Sequence, residues 1–267
     1  MINVIIAGAA GRMGCRLVAL LRESTTLTLA GAVEGGTHPA LGRDAGEVAG
    51  CGHAGIPIID DLSSLLGRGE VVIDFSSPHA TLEHLGVVAH HRRAMVIGTT
   101  GFSASETQQI RDFAAQIPCV LSPNMSVGVN LICKVIAEMA RTLGDGYDIE
   151  VIEAHHRLKK DAPSGTALKL AEVLADAVGR DLAQVGVYER KGLIGERKKT
   201  EIGIQTVRAG DIVGDHTVLF GGLGERIEVV HRASSRDTFA SGALRAAGWV
   251  VGRPPGLYDM MDVLGLR

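Results

Sequence analysis

The chain opens on a pattern that leaves few folds open to it. Residues 2–7 form a nearly continuous apolar run, as a strand buried on both faces requires. Gly8-Ala9-Ala10-Gly11-Arg12-Met13-Gly14 follows at once, and Leu17, Val18, Leu20 and Leu21 then mark the apolar face of a helix. Strand, glycine turn and helix in this order are the setting in which a dinucleotide lays its pyrophosphate on a helix N-terminus. The spacing is G-x-x-G-x-x-G, so the glycines alone are a weak signal, and any flavodoxin-like unit carries a similar turn. The next strand, 27–33, ends at Glu34, about twenty residues past the last glycine, where a ribose ligand is expected. Strand context and Glu34 together favour a dinucleotide site. Gly35 and Gly36 come next, with no Lys or Arg to offset the carboxylate. A carboxylate accepts bonds from ribose hydroxyls and repels a 2′-phosphate. The pattern predicts NADH as the preferred cofactor, with Arg12 allowing some use of NADPH.

Strands and helices then alternate. Residues 56–59 read as a short strand and 71–75 as a clearer one, followed by Ser76-Ser77-Pro78 and a helix over 79–91. His84, His90 and His91 on that helix read as solvated or C-terminal residues favoured by the helix dipole. A strand at 95–97 opens into Gly98-Thr99-Thr100-Gly101-Phe102, and one at 119–121 into Ser122-Pro123-Asn124-Met125. Glycines and hydroxyls at strand ends suit the ligand crevice of an open α/β sheet. After Asn124 the pattern changes to a helix over 129–143, a strand near 147–152, a helix starting at Gly165, and strands at 201–207, 215–220 and 226–231. A helix over 238–251 is expected to pack back on the first part of the chain. The reading is an α/β protein: an N-terminal Rossmann-type doubly wound parallel sheet, and a second, α+β domain built on an open mixed sheet. The expected domains are 1–126 plus 237–267 for the dinucleotide, and 127–236 for substrate and oligomerisation. Hinges are expected at 124–129 and near Arg236. An open sheet needs cover, which partner subunits could supply. Residues 191–199 are polar and glycine-rich and read as a mobile loop.

The densest chemistry lies at 153–167, in E-A-H-H-R-L-K-K-D-A-P-S-G-T-A. His155 and His156 stand where a strand ends, and Pro163-Ser164-Gly165-Thr166 turns the chain into a helix. Ser164 fits an N-cap, which would leave the amides of Gly165 and Thr166 at an anion-binding helix start. Imidazoles and Lys159 beside such a start point to a carboxylate or phosphate substrate with a proton donor at hand. Taken singly, the histidines are as well explained as loop residues and the Pro-Ser-Gly turn as a turn; the combination favours a site. Adjacent strand residues face opposite ways, so one metal ion cannot easily take both histidines, and no partner stands at a ligand spacing. No metal is expected. Arg236, just before the last helix, could hold a carboxylate or remain a solvated loop residue.

Composition narrows the classes further. The 267 residues carry a formal net charge of −3 with no basic arm or stripe, which argues against nucleic acid as a partner. The 4 cysteines are scattered without a C-x-x-C pair and read mostly as small buried residues in a reducing compartment. The N-terminal apolar run is broken by Gly8 and Gly11 and lacks a basic flank, so neither a signal peptide nor a membrane span is expected. A cytoplasmic location is the default.

With these residues in view, the whole chain resembles the dihydrodipicolinate reductase family of the diaminopimelate route to lysine. The matching pieces are 7–14, 74–76, 98–102, 123–130, 153–156, Lys159, 161–166 and the ending at 256–265; the E-A-H-H-x-x-K-x-D-A-P-S-G-T-A run is by far the most specific. The resemblance implies reduction of 4-hydroxy-tetrahydrodipicolinate, a small cyclic imine with two carboxylates, by NADH or NADPH in a homotetramer joined through the second sheet. It implies cofactor contacts at Gly8, Ala9, Ala10, Gly11, Arg12, Met13, Glu34, Gly98, Thr99, Thr100, Ser122, Pro123, Asn124 and Met125. His155 would donate the proton beside Lys159, and His156, Gly165 and Thr166 would bind substrate. The chain departs from the family at Gly35, often basic, and at Met125, often Phe. Two other readings stay open: a related Rossmann oxidoreductase acting on another small amino or imino acid, and a nicotinamide-binding sensor without turnover.

Overall fold

The structure is a computed structural model describing all 267 residues. In chain order the elements are β1 (Ile2–Ala7), α1 (Arg12–Glu23), β2 (Leu27–Val33), α2 (Ala45–Val48), β3 (Ile58–Ile59), β4 (Val71–Asp74), α3 (Pro78–His90), β5 (Ala94–Ile97), α4 (Ala104–Ala114) and β6 (Pro118–Leu121). There follow α5 (Val127–Leu143), β7 (Asp148–His155), α6 (Gly165–Ala177), α7 (Leu182–Val185), β8 (Gly186–Val187), β9 (Ile202–Arg208), β10 (Gly214–Gly221) and β11 (Arg226–Ala233). The chain ends with α8 (Asp237–Val250), β12 (Gly256–Tyr258) and α9 (Met260–Leu264). It divides into two compact units, 1–127 with 236–267, and 128–235. No helix is long and apolar enough to cross a membrane.

The first unit is a seven-stranded sheet in the order β12-β6-β5-β4-β1-β2-β3. Every neighbouring pair runs parallel. Alternation along β1 explains its unbroken apolar run: Val4 and Ile6 enter one core with α1 and α8, while Ile5 and Ala7 enter the other with α3 and α4. The fully buried Val4, Ile5 and Ile6 side chains each contribute roughly 1.5–3 kcal/mol. The helix expected over 238–251 is α8, and its Ala240, Ala243, Ala246, Ala247 and Val250 are all fully buried. β12 adds a strand that the sequence pattern did not announce. The strand order reverses between β1 and β4, the switch point at which open α/β sheets bind ligands.

The second unit carries a mixed five-stranded sheet in the order β11-β10-β7-β9-β8, antiparallel from β11 to β7 and parallel from β7 to β8. One face packs on α5 and α6 through Ile149, Val151, Ile202, Ile204, Val218 and Phe220. The other face leaves Ile152, Val207 and Val230 exposed. The polar segment over 191–199 is mostly exposed, and arginines just before it and within it bind the sheet. Arg190 makes two bonds of 2.8 Å to Glu150, and Arg197 reaches Asp148 at 2.7 Å and the carbonyl of Glu201 at 2.7 Å. These arginines pair with carboxylates on β7, the central strand of the sheet. The cysteines are all free thiols, but only Cys119 is fully buried, where desolvation pushes its thiol up to about 12.

Candidate active site

Chemistry collects in two places, one in each unit. In the first, the turn after β1 is held by the amides of Gly8 and Ala9, which both donate to the Val33 carbonyl at 3.0 Å. Gly8 sits at φ +74°, and a Cβ there would lie 2.9 Å from the Phe75 carbonyl oxygen. Gly14, in the first turn of α1, packs so closely that a Cβ would meet the Gly8 oxygen at 2.1 Å. Gly11 occupies the N-cap of α1 with no side-chain cap, so the helix start is not closed off by its own side chains. Glu34 follows β2 directly, and its carboxylate accepts the Ala10 amide at 2.9 Å, tying the end of β2 to the glycine turn. A cavity of about 530 Å³ opens here, lined among others by Gly8, Gly11, Glu34, Phe75, Ser76 and His84.

These features fit a dinucleotide: the turn admits close approach of an anion, the helix dipole favours it, and the Glu34 carboxylate lines the same cavity. The cavity contains Gly8, Gly11 and Glu34 but not Gly98, Thr99, Thr100 or Ser122–Met125, which follow the ends of β5 and β6 along the same sheet edge. Ala9, Ala10, Arg12 and Met13 fill the turn and the start of α1. The Thr99 hydroxyl is engaged within the protein, accepting from the Ser76 amide at 3.0 Å and donating to Asp74 at 3.2 Å. Ser122 donates its hydroxyl to the Asn124 carbonyl at 2.8 Å, so the turn after β6 is set by its own bonds. Met125 is 1% exposed, packed within the first core.

His84 differs from expectation. It turns inward from α3 and places Nδ1 2.7 Å from Oδ2 of the fully buried Asp74. Oδ1 of Asp74 accepts from the Ser76 amide and from the hydroxyls of Ser76, Thr81 and Thr99, so the buried carboxylate is fully satisfied. The solvated reading holds for His90, which is exposed, while His91 at the helix end donates Nδ1 to the Val87 carbonyl.

The second place is built on β7. Strand alternation that sends Ile149 and Val151 into the core also sends Glu153 and His155 inward, with Glu153 fully buried and His155 8% exposed. Glu153 Oε2 lies 2.5 Å from His155 Nδ1. Arg208, the register partner of His155 on β9, donates two bonds of 2.8 Å to the same carboxylate and a third, of 2.7 Å, to the Asp161 carbonyl. The Ser164 amide supplies a further bond to Glu153 at 3.0 Å. Burial alone would raise Glu153, but the bonds from Arg208, His155 and Ser164 outweigh it and hold the carboxyl below its usual range. Nδ1 of His155 is thus committed to a carboxylate, and Nε2 is the nitrogen left to act.

Ser164 is the N-cap of α6 as expected, its hydroxyl accepting the Ala167 amide at 3.1 Å. The same hydroxyl lies 3.1 Å from Nε2 of His216, whose ring stands edge-on to His155 at 5.2 Å. Desolvation, aided by the charge of His155, pushes His216 down to about 4, so it is neutral at working pH. Gly165 and Thr166 form the first turn of α6. His156 lies just past the end of β7 with its Nδ1 buried and unpartnered. Lys159 pairs with Asp161 at 2.8 Å, which holds the Asp161 carboxyl below its usual range. His155, His156, Lys159, Gly165 and Thr166 therefore all belong to one unit. Arg236, exposed at the N-cap of α8, lies in the other. Glu153, Arg208 and His216 complete the cluster, none of them singled out by the sequence pattern.

Comparison with known proteins covers the full chain. The family models for the N-terminus and the C-terminus of dihydrodipicolinate reductase match residues 2–125 and 128–264. The 4-hydroxy-tetrahydrodipicolinate reductase of Syntrophus aciditrophicus is 59% identical over 267 residues, covering 100% of both chains, and that of Syntrophobacter fumaroxidans is 54% identical over the same span. Among solved structures, a dipicolinate-bound dihydrodipicolinate reductase from Paenisporosarcina sp. TG-14 superposes with a TM-score of 0.75 at 25% identity over 98% of each chain. An amine dehydrogenase from Mycobacterium smegmatis, at 12% identity and TM-score 0.59 over 96% of this chain and 94% of its own, shares the fold alone. Family models that together take in nearly every residue, and full-length relatives above 50% identity, establish that the chain belongs to the dihydrodipicolinate reductase family.

Proposed function

We propose that the protein reduces 4-hydroxy-tetrahydrodipicolinate to tetrahydrodipicolinate in the diaminopimelate route to lysine. The observation that carries this reading is the buried Glu153–His155 pair next to Lys159 and the start of α6, in a chain that matches its named relatives end to end. The substrate loses its hydroxyl as water, and the resulting conjugated ring is reduced. Bound reduced nicotinamide supplies the hydride. His155 then delivers its Nε2 proton to the neighbouring ring carbon, a role suited to an imidazole whose other nitrogen is fixed by a carboxylate. Lys159 stabilises the charge that builds toward the ring nitrogen and helps hold a carboxylate. His156 and the first amides of α6 at Gly165 and Thr166 clamp the carboxylates. The cofactor is held by residues 8–13, Glu34, 98–100 and 122–125.

The cofactor is preferentially NADH. Glu34 is followed by Gly35, and Asp60 lines the same cavity, so two carboxylates and no cation of the following loop stand near a 2′-phosphate. Equal kcat/KM for NADH and NADPH would remove this preference. The active form is a homotetramer assembled through the exposed sheet face at Ile152, Val207 and Val230, and the protein works in the cytoplasm. The role assignment is tested with His155→Gln and Lys159→Ala. Each is expected to lower kcat by about 100-fold or more while NADH binds as before; near-normal turnover in both variants would refute it.

A further inference from the structure

His155 has charged neighbours of both signs, and they are arranged in series. On its own strand Glu153 contacts Nδ1 at 2.5 Å. On β9 Arg208 grips that same carboxylate through both terminal nitrogens at 2.8 Å and anchors the loop that carries Lys159 and Asp161. From β10 comes only the neutral ring of His216, 5.2 Å away. His231 on β11 lies beyond His216, with ring centres 6.5 Å apart, and burial lowers it as well, against the pull of Asp215. Lys159 is offset by Asp161 at 2.8 Å. The groups that act most directly on the charge of His155 are therefore one carboxylate in contact and one guanidinium bound to that carboxylate.

We propose that Glu153 and Arg208 are an opposed pair of positioning residues that set the pH range over which His155 carries the proton it delivers. This rests on His155 being the proton donor. Glu153 fixes Nδ1–H and favours the imidazolium, which keeps a proton on Nε2. Arg208 draws on the same carboxylate and adds a positive charge close by, so the imidazolium is less favoured and gives its proton more readily. In the transfer the Nε2–H bond breaks, its electron pair stays on nitrogen, and the ring carbon uses its conjugated pair to form the new C–H bond. Neutral imidazole then regains a proton from water. A lone carboxylate would hold the Nε2 proton more tightly; the guanidinium opposes that pull. Arg208 also links the donor to the Lys159 loop, so one side chain sets both the acidity of the donor and the placement of the cation.

The two residues should then shift the pH dependence of kcat in opposite directions, which a purely structural role would not do. In Glu153→Gln the limb where activity falls with rising pH moves down by roughly 1–2 pH units. In Arg208→Gln it moves up by roughly 1 pH unit. Arg208→Lys keeps the charge and stays near the wild-type limb, and the double variant Glu153→Gln/Arg208→Gln returns toward it. The same order is read without turnover, by NMR titration of the His155 imidazole in protein free of nucleotide, assigned by the signal lost in His155→Gln. Limbs and titrations that stay put, or that move the same way in both single variants, overturn the proposal. Should Glu153→Gln fail to fold, Arg208→Gln against Arg208→Lys decides it. A crippled His155→Gln with unmoved limbs refutes this inference alone, whereas a fully active His155→Gln refutes the donor assignment itself.

Discussion

At pH 7.5 His216 is neutral in the folded and the unfolded chain alike; at pH 5.0 only the unfolded chain protonates it readily. Burial lowers this imidazole from an ordinary 6.5 to about 4. The unfolded state therefore binds more protons across that window, and stability rises with pH within it. Protection is complete above about pH 6.5 and is lost progressively as pH falls through about 4. Over the full window the linkage is worth about 3 kcal/mol, and between pH 7.5 and 5.0 about 2 kcal/mol. His216→Gln keeps an amide able to reach the Ser164 hydroxyl but cannot titrate. Urea unfolding followed by circular dichroism at the two pH values, at one protein concentration, measures the effect. The wild type should lose about 2 kcal/mol more than the variant on going to pH 5.0, or about 4–8 °C in Tm. Other titrating groups are common to both proteins and cancel in the comparison. Equal losses would show that His216 is solvated or partnered in the folded state, and would undo the picture of a neutral ring packed against His155.

Two glycines give further tests. A Cβ at Gly214 would lie 3.1 Å from His155 Nε2, and the ring is held from behind by Glu153. Gly214→Ala should lower kcat by about ten- to a hundredfold with little change in NADH affinity, read by steady-state kinetics beside a nucleotide titration; unchanged kcat would mean that Nε2 does not act from this place. Gly8→Ala sets a side chain at φ +74° and against the Phe75 carbonyl. It should cost about 1–3 kcal/mol of stability and weaken NADH binding, and a variant with wild-type Tm and nucleotide Kd would contradict the described turn.

Much of the first unit could be read from the chain because its strands are short apolar runs between helices of normal length, a pattern that alternation alone resolves. β12 escaped because three residues, Gly256–Tyr258, carry no period; it exists by pairing with β6. His84 was misread, although Thr81, His84, Leu85 and Val88 share the helical spacing of one inward face. The presence of apolar neighbours at i+1 and i+4 was the missed signal. In the second unit the same rule applied to β7 would have placed Glu153 and His155 side by side, facing in with Val151. Arg208 and His216 had no local signal at all. They reach the site only because β9 and β10 pair with β7 in a register that sets Arg208 beside His155 and His216 beside Glu153. The carboxylates that Arg190 and Arg197 meet lie on β7, 40 and 49 residues away, so the polar 191–199 segment gives no local sign of these contacts.

The most direct test of the account is a coupled assay. The substrate is generated in place from pyruvate and aspartate semialdehyde by the preceding synthase, the protein is added, and reduced-nicotinamide absorbance is followed with NADH and NADPH in parallel. The account predicts oxidation that depends on the synthase and is faster with NADH. A folded protein that binds NADH yet oxidises neither cofactor in the presence of substrate would contradict it.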